Sequence, residues 1–296
     1  MIKSKTSLFA LAVLAAVAIS ASQARAATYN AGDLIMGFRV TGGIGSSSNL
    51  LVNLGSAITF RDLTSTNILN ITNIGTDLSN TFGTGAGNGV EWYNRTDLSF
   101  GVVGVYSSAS SGAVTSGDPV RTLYASQTRT AVGTLGSANS ATPTGISGTN
   151  MGTSATSMVS LGGTTFTNAT ASLNNSSVAI VGTGANTWTA NTSGTTDFNA
   201  FNPGVEQTFT ASAWSTGTFG TATNVEGAVD LYRVLNSTSG ASPTGPLRSG
   251  SYEATILINQ SGQVSVSAVP EPSTYALFGL GAGAIVFAVR RRQLKA

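Results

Sequence analysis

Apolar residues in this chain alternate with polar ones over short stretches more often than they recur at helical spacing. Asp33 to Val40 (DLIMGFRV) reads as a mostly apolar strand, the Gly/Ser cluster that follows as a turn, and Leu50 to Leu54 and Ala57 to Phe60 as the next strand or strands. Leu98 to Tyr106 (LSFGVVGVY) reads as a buried strand. Asp118-Pro119 opens another, with Val120, Thr122 and Tyr124 on one face and Arg121, Leu123 and Ala125 on the other. Phe209, Ala211 and Ala213 alternate with polar residues, and Val225 to Leu235 fits a strand or a helix. The clearest hairpin comes last: Tyr252, Ala254, Ile256 and Ile258 alternate, Asn259-Gln260-Ser261-Gly262 turns, and Val264 and Val266 return. One stripe has helical spacing, Ile71, Ile74, Leu78 and Phe82, and predicts a short helix. The glycine run at 83–89 ends it. With no Lys-Ser/Thr and no helix after it, that run is a turn and not a phosphate cradle.

From Thr130 to Thr196 no charged residue occurs, and only brief apolar clusters appear: Met158-Val159, Phe166 and Val178 to Val181. This segment predicts loops and short edge strands. Many short strands with Gly-rich turns and little helix predict an all-β fold, an antiparallel β-sandwich of jelly-roll type with one short helix. A β-solenoid ranks lower, because no fixed-period repeat is present.

The two chain ends follow different rules. Lys3 and Lys5 precede the apolar run Leu8 to Ile19, and Ala24-Arg25-Ala26 is a small-x-small cleavage site, so 1–26 reads as a signal peptide and Ala27 as the mature start. At the other end, Pro270 and Pro272 force extended backbone. Tyr275 to Val289 is free of charge, and Arg290-Arg291-Arg292 closes it as a positive stop. Those roughly fifteen residues span about 22 Å as a helix, short of a hydrocarbon core of about 30 Å. Tyr275 and snorkelling arginines cover part of the deficit.

The order Val269-Pro270-Glu271-Pro272, a Gly/Ala-rich apolar run (Gly279, Gly281, Gly283) and a basic end resembles the PEP-CTERM sorting signal. The resemblance is confined to about 269–296. It implies a membrane helix at 275–289 and removal of the tail by an exosortase, a membrane protease. It also implies a Gram-negative source, transient anchoring in the inner membrane, and delivery to the outer surface or extracellular polysaccharide. The general secretion machinery and signal peptidase are the other expected partners.

Charge divides along the same lines. The chain carries +2 overall, but residues 28–269 hold seven Arg against eleven Asp/Glu, a net −4, and no Lys. The basic ends are addresses; the body is mildly acidic, which excludes a nucleic-acid partner that needs a basic footprint. With no Cys and no His anywhere, disulfide scaffolds, thiolate catalysis, Ser-His-Asp triads and His-ligated zinc are excluded. No metal, cofactor or catalytic residue is expected, and the protein reads as a non-enzyme.

Carboxylate chemistry remains open by composition. Glu91 with Asp97 and Glu226 with Asp230 are the close pairs that a glycosidase would need. The plainer reading of Glu226 and Asp230 is a polar face or an ion pair to Arg233. No Asp-x-Asp-x-Asp-Gly loop supports calcium. Trp92, Tyr93, Trp188 and Trp214 could stack on sugar rings, although tryptophans in a sandwich more often fill the core. Asn-x-Ser/Thr triplets, as at Asn70 and Asn174, are expected by chance in so hydroxyl-rich a chain, while Ser/Thr glycosylation of the uncharged segment is an expectation. Thr-x-Thr pairs at Thr128, Thr142, Thr216 and Thr221 are scattered, which makes ice binding a minor alternative. The leading expectation is a structural or adhesive protein of exopolysaccharide or biofilm, with a carbohydrate-binding or carbohydrate-active domain as the alternative.

Overall fold

A computed structural model of the chain describes residues 27–63, 68–83, 91–106, 118, 121–129, 136–138, 140–143, 148–192, 198, 205–208, 227–235 and 250–268. The expected signal helix, the sorting tail 269–296, Glu226 and Trp214 lie outside the described residues. Among the described residues, no helix is long and apolar enough to cross a membrane.

The fold is mostly antiparallel β. Strands β1 (Asp33–Val40), β2 (Ser48–Ser56), β3 (Leu69–Asn73), β4 (Leu98–Val105), β5 (Leu123–Thr128), β6 (Val178–Gly182), β7 (Gln207–Thr208), β8 (Gly227–Val234), β9 (Ser251–Ile258) and β10 (Gln263–Ala268) join one sheet. Its order is β3-β10-β9-β8-β5-β4-β1-β2-β6, with β7 also paired to β4. Hydrogen bonding thus links all ten strands into one sheet, where the strand pattern had suggested two stacked sheets.

The sheet curls, because strands far apart in this order share one apolar cluster. Met36, Phe38, Val52 and Phe100 from one half meet Leu231, Ile256, Val264 and Val266 from the other. Phe38 and Phe100 stack at 5.7 Å. Two short helices, α1 (Ala57–Arg61) and α2 (Gly75–Phe82), fill this inner face with Ala57, Phe60, Leu78 and Phe82. The curl brings the two edge strands together. Asn175, just ahead of β6, donates its side-chain N–H to Thr72 Oγ1 (2.7 Å) and to the Asn73 carbonyl (3.3 Å) on β3. The Asp77 carboxylate on α2 accepts from Ser172 and Asn174 of the same loop.

The outer face is covered in two different ways. Over β1, β4 and β5 lie α3 (Gly148–Val159), a π-helical turn (Ser160–Phe166) and α4 (Trp188–Thr192), whose Met151, Met158, Leu161, Phe166 and Trp188 form a second apolar cluster with Ile35, Val103 and Ala125. Further along the order this face is polar: Gln127, Asp230 and Thr255 are all fully buried and sit in register across β5, β8 and β9.

Three elements differ from the sequence expectation. Ala57 to Phe60 is helix α1 and not strand: β2 bulges at Gly55, whose φ is +90°, and its pairing with β1 ends at Ser56. Ile71 belongs to β3, so the stripe predicted as one helix is a strand followed by α2. The uncharged segment is not only loops and edge strands. Met151, Ala155, Met158 and Leu161 recur at spacings of four and three and make α3 and its π-helical continuation, a stripe diluted by Thr, Ser and Gly of poor helix propensity.

Candidate functional site

The sorting motif is rooted in the sheet. β10 pairs with β9 up to Ala268↔Ala254 and with β3 up to Val266↔Leu69, so the body ends on a strand with neighbours on both sides. Ala268 is 3% exposed. Gly136, at φ +75°, lies against the Ala268 carbonyl, where a Cβ would come within 2.7 Å. The segment carrying Gly136 is fastened from below: Arg129 donates to the Ser137 carbonyl (3.2 Å), to Thr255 Oγ1 (2.8 Å) and to Asp230. Thr255 is the cross-strand partner of Ser267. Ser140 closes the network onto Asp230 (2.9 Å) and Tyr232 (3.0 Å). At the other end, Ala27, the expected first residue after signal cleavage, is 2% exposed and joins the second apolar cluster. Ala24 and Ala26 lie outside the described residues, as do Val269, Pro270, Glu271, Pro272 and Arg290 to Arg292.

A second cluster gathers charge at the inner-face rim. Asp118, fully buried, pairs with Arg61 of α1 (2.9 Å) and Arg233 of β8, and accepts from the Tyr124 hydroxyl (2.7 Å). Burial and the Asp118 carboxylate push the Tyr124 hydroxyl far above its ordinary range. Burial likewise pushes the Glu253 carboxyl up, against the opposing Ser251 hydrogen bond. The Arg61 guanidinium holds Asp62 below the usual carboxylate range. The rim thus holds two carboxyls whose surroundings differ: Glu253 is half-buried, and Asp62 is exposed and paired with Arg61. No spacing rule finds this cluster, because its members come from positions 61, 62, 118, 124, 233 and 253.

The sequence candidates are placed elsewhere. Asp230 does not pair with Arg233; its partner is Arg129, and its side chain is sealed off from solvent. The Asp97 carboxylate is taken by Arg95, which holds it below its ordinary range. The same guanidinium donates to the carbonyls of Gly42, Ile44 and Phe82. With its donors spent on backbone and Asp97, Arg95 staples three loops around a cleft of about 340 Å³. Trp92 and Trp188 are core residues, 1% and 0% exposed. Trp188 lies on Gly37, where any Cβ would overlap its ring, and its indole N–H reaches Glu206 (2.8 Å), which also takes Arg39 and Ser99. Thr128 spends its hydroxyl on the Glu206 carbonyl; Thr216 and Thr221 lie outside the described residues. Among the described residues no group of acidic side chains could hold a metal ion.

Residues 268–292 match the family model of the PEP-CTERM protein-sorting motif. The motif begins on the last residue of β10, and it marks the chain as an exported substrate of an exosortase. No curated protein and no solved structure matches the chain.

Proposed function

We propose that the body is a structural or adhesive component of an extracellular polysaccharide matrix, delivered by the sorting tail to the surface of a Gram-negative cell after passing through an inner-membrane stage. One observation carries this reading: the body hides its charge. Five of its seven arginines are ion-paired with side chains no more than 18% exposed. Among the described residues, Asp62 is the only charged one that is largely exposed. What faces solvent is chiefly Ser, Thr, Asn and Gly. Such a surface offers hydroxyl and amide hydrogen bonds and little long-range field, which suits a neutral, hydrated polymer better than a charged partner. Binding of the secreted protein to its host's exopolysaccharide should vary less than twofold between 50 and 500 mM salt. Absence of binding, or a steep salt dependence, rejects the reading.

A carbohydrate-active role is the second reading, resting on the rim where Glu253 stands near Asp118, Arg61 and Arg233. It has lost Trp92 and Trp188 as stacking platforms. Glycan release by the purified protein that disappears in E253Q supports it; equal traces for both proteins dismiss it.

A further inference from the structure

We infer that the cleft framed by Arg95 is a binding site for a neutral sugar unit. The Asp97 carboxylate, the Asn94 amide and the Thr96 hydroxyl take the hydroxyls along the ring edge, and Ile44 takes an apolar face of the ring. The inference rests on the matrix reading and adds where on the body the polymer is gripped and which of its units are accepted.

The walls of the cleft come from three places: Gly43 and Ile44 in the turn between β1 and β2, Phe82 at the end of α2, and residues 94–97 ahead of β4. Its volume of about 340 Å³ lies at the small end of the range for small-molecule sites. The walls are fixed before any ligand arrives. Arg95 has five N–H groups. Two meet the two oxygens of Asp97 (2.8 and 2.7 Å), and the other three meet the carbonyls of Gly42 (2.6 Å), Ile44 (2.6 Å) and Phe82 (2.8 Å). Gly45, at φ +81°, seats the turn directly on α2, where a Cβ would come within 2.6 Å of the Phe82 ring and the Thr81 carbonyl. A site that needs no ordering on binding loses little of its contact energy to entropy.

The same accounting sets the charge of the ligand. Arg95 is the one cation among the residues that line the cleft, and its donors are all engaged, so a phosphate, sulfate or uronate group finds nothing to hold it. The exposed half of the ion pair is the acid: the Asp97 side chain is 33% exposed, that of Arg95 10%. Arg95 keeps this carboxyl ionised. Each of its oxygens takes one proton from Arg95 and can accept a second hydrogen bond. An anion is repelled there, whereas a hydroxyl donates to the carboxylate in a charge-assisted bond. A divalent cation fits poorly, because only one carboxylate lines the cleft. Asn94 and Thr96 are exposed, and their side chains make no hydrogen bond among the described residues. They add an amide and a hydroxyl beside Asp97. Ile44 is one of the few exposed large apolar residues, and it stands in the same cleft. Hydroxyl-seeking groups next to an apolar surface match a sugar ring, which carries hydroxyls at its edge and C–H groups on its faces.

The test uses the protein secreted by its host, isotope-labelled for NMR. The probes are oligosaccharides released from that host's exopolysaccharide by partial acid hydrolysis and separated into neutral and acidic fractions. The neutral fraction is expected to shift the amide signals of 43–44 and 94–97, the Asn94 side chain included, and to bind at least tenfold more tightly than the acidic fraction. N94A/T96A should bind it at least fivefold more weakly at an unchanged urea midpoint. Shifts that map elsewhere, a preference for the acidic fraction, or binding to neither fraction by a protein that holds the intact polymer overturns the inference; this mapping needs no variant. Equal binding of the intact polymer by N94A/T96A and the parent also removes this site and leaves the matrix reading standing. A parent that binds neither polymer nor fragments removes both.

Discussion

The two sides of β8 show two ways of burying a sheet. Val229 and Leu231 point into the inner apolar cluster, while Asp230 between them points outward and is just as fully buried. On the inner side burial is collective: many apolar residues from distant strands share one space, and none depends on a single partner. On the outer side burial depends on matched partners. Asp230 is tolerable there because Arg129, Thr255 and Ser140 satisfy it. The inner face should therefore lose stability gradually as methylenes are removed, whereas the outer one should fail as a unit when either charge is stranded.

The sharpest way to break this contrast is D230A. It leaves the Arg129 guanidinium buried without its carboxylate and should cost about 3–5 kcal/mol, read as a fall in the urea midpoint. The double variant R129M/D230L should recover at least half of that loss, because a buried pair replaced by apolar groups of similar size is often close to neutral. L231A, one residue along and on the other face, should cost about 2–4 kcal/mol through the cavity it opens, and no second-site change of charge should restore it. If D230A proves milder than L231A, the outer face is not held by its ion pair.

A smaller effect tests the apolar half of the outer face. Gly37 and Gly101 are cross-strand partners, and they clear the space taken by the Trp188 ring and the Val205 backbone. G37A should cost about 1–3 kcal/mol by overpacking and should shift tryptophan fluorescence, since Trp188 must move. G55A is the control of opposite kind: nothing lies near its Cβ, and its cost comes from φ +90° alone.

How far the sequence could be read follows the same divide. The last hairpin was legible from its alternation and its Asn259–Gly262 turn, and the sorting tail from a linear order of proline, apolar run and arginine, because both signals are local. Both hinge on neighbours in the chain and need no knowledge of the fold. The outer-face cover was not legible. α3 carries its apolar stripe on Met151, Ala155, Met158 and Leu161 amid residues of poor propensity, so tertiary packing overrides the local preference. The ion clusters were hidden for a different reason: Arg129 and Asp230 are 101 residues apart, and Arg61 meets Asp118 only because α1 packs onto the inner rim. One signal was available and went unread. Gly37 and Gly101 each interrupt an otherwise apolar strand, and a lone glycine there often marks a close approach by another group.

The finest distinction concerns charge that is half-hidden, and Glu253 is the place to measure it. Burial raises its carboxyl above the ordinary value. Between the unfolded and the folded pKa the native state binds more protons than the unfolded one, so stability falls as pH rises through that window. Below it both states are protonated and the penalty vanishes. E253Q removes the titration and keeps an oxygen for Ser251 Oγ, which donates at 2.7 Å in the parent. The variant should therefore be slightly more stable than the parent at neutral pH, and the gain should fade as the pH is lowered through the ordinary carboxylate range. Asp97 should behave in the opposite sense. Its pKa is depressed by Arg95, so the stability it supplies is present above the unfolded value and is lost as pH falls, and D97N should be the less stable protein at neutral pH and converge on the parent in acid. Chemical denaturation of both variants at stepped pH reads the two trends together. If they run in parallel rather than in opposition, burial does not control Glu253, and the charges at this rim are better solvated than its packing implies.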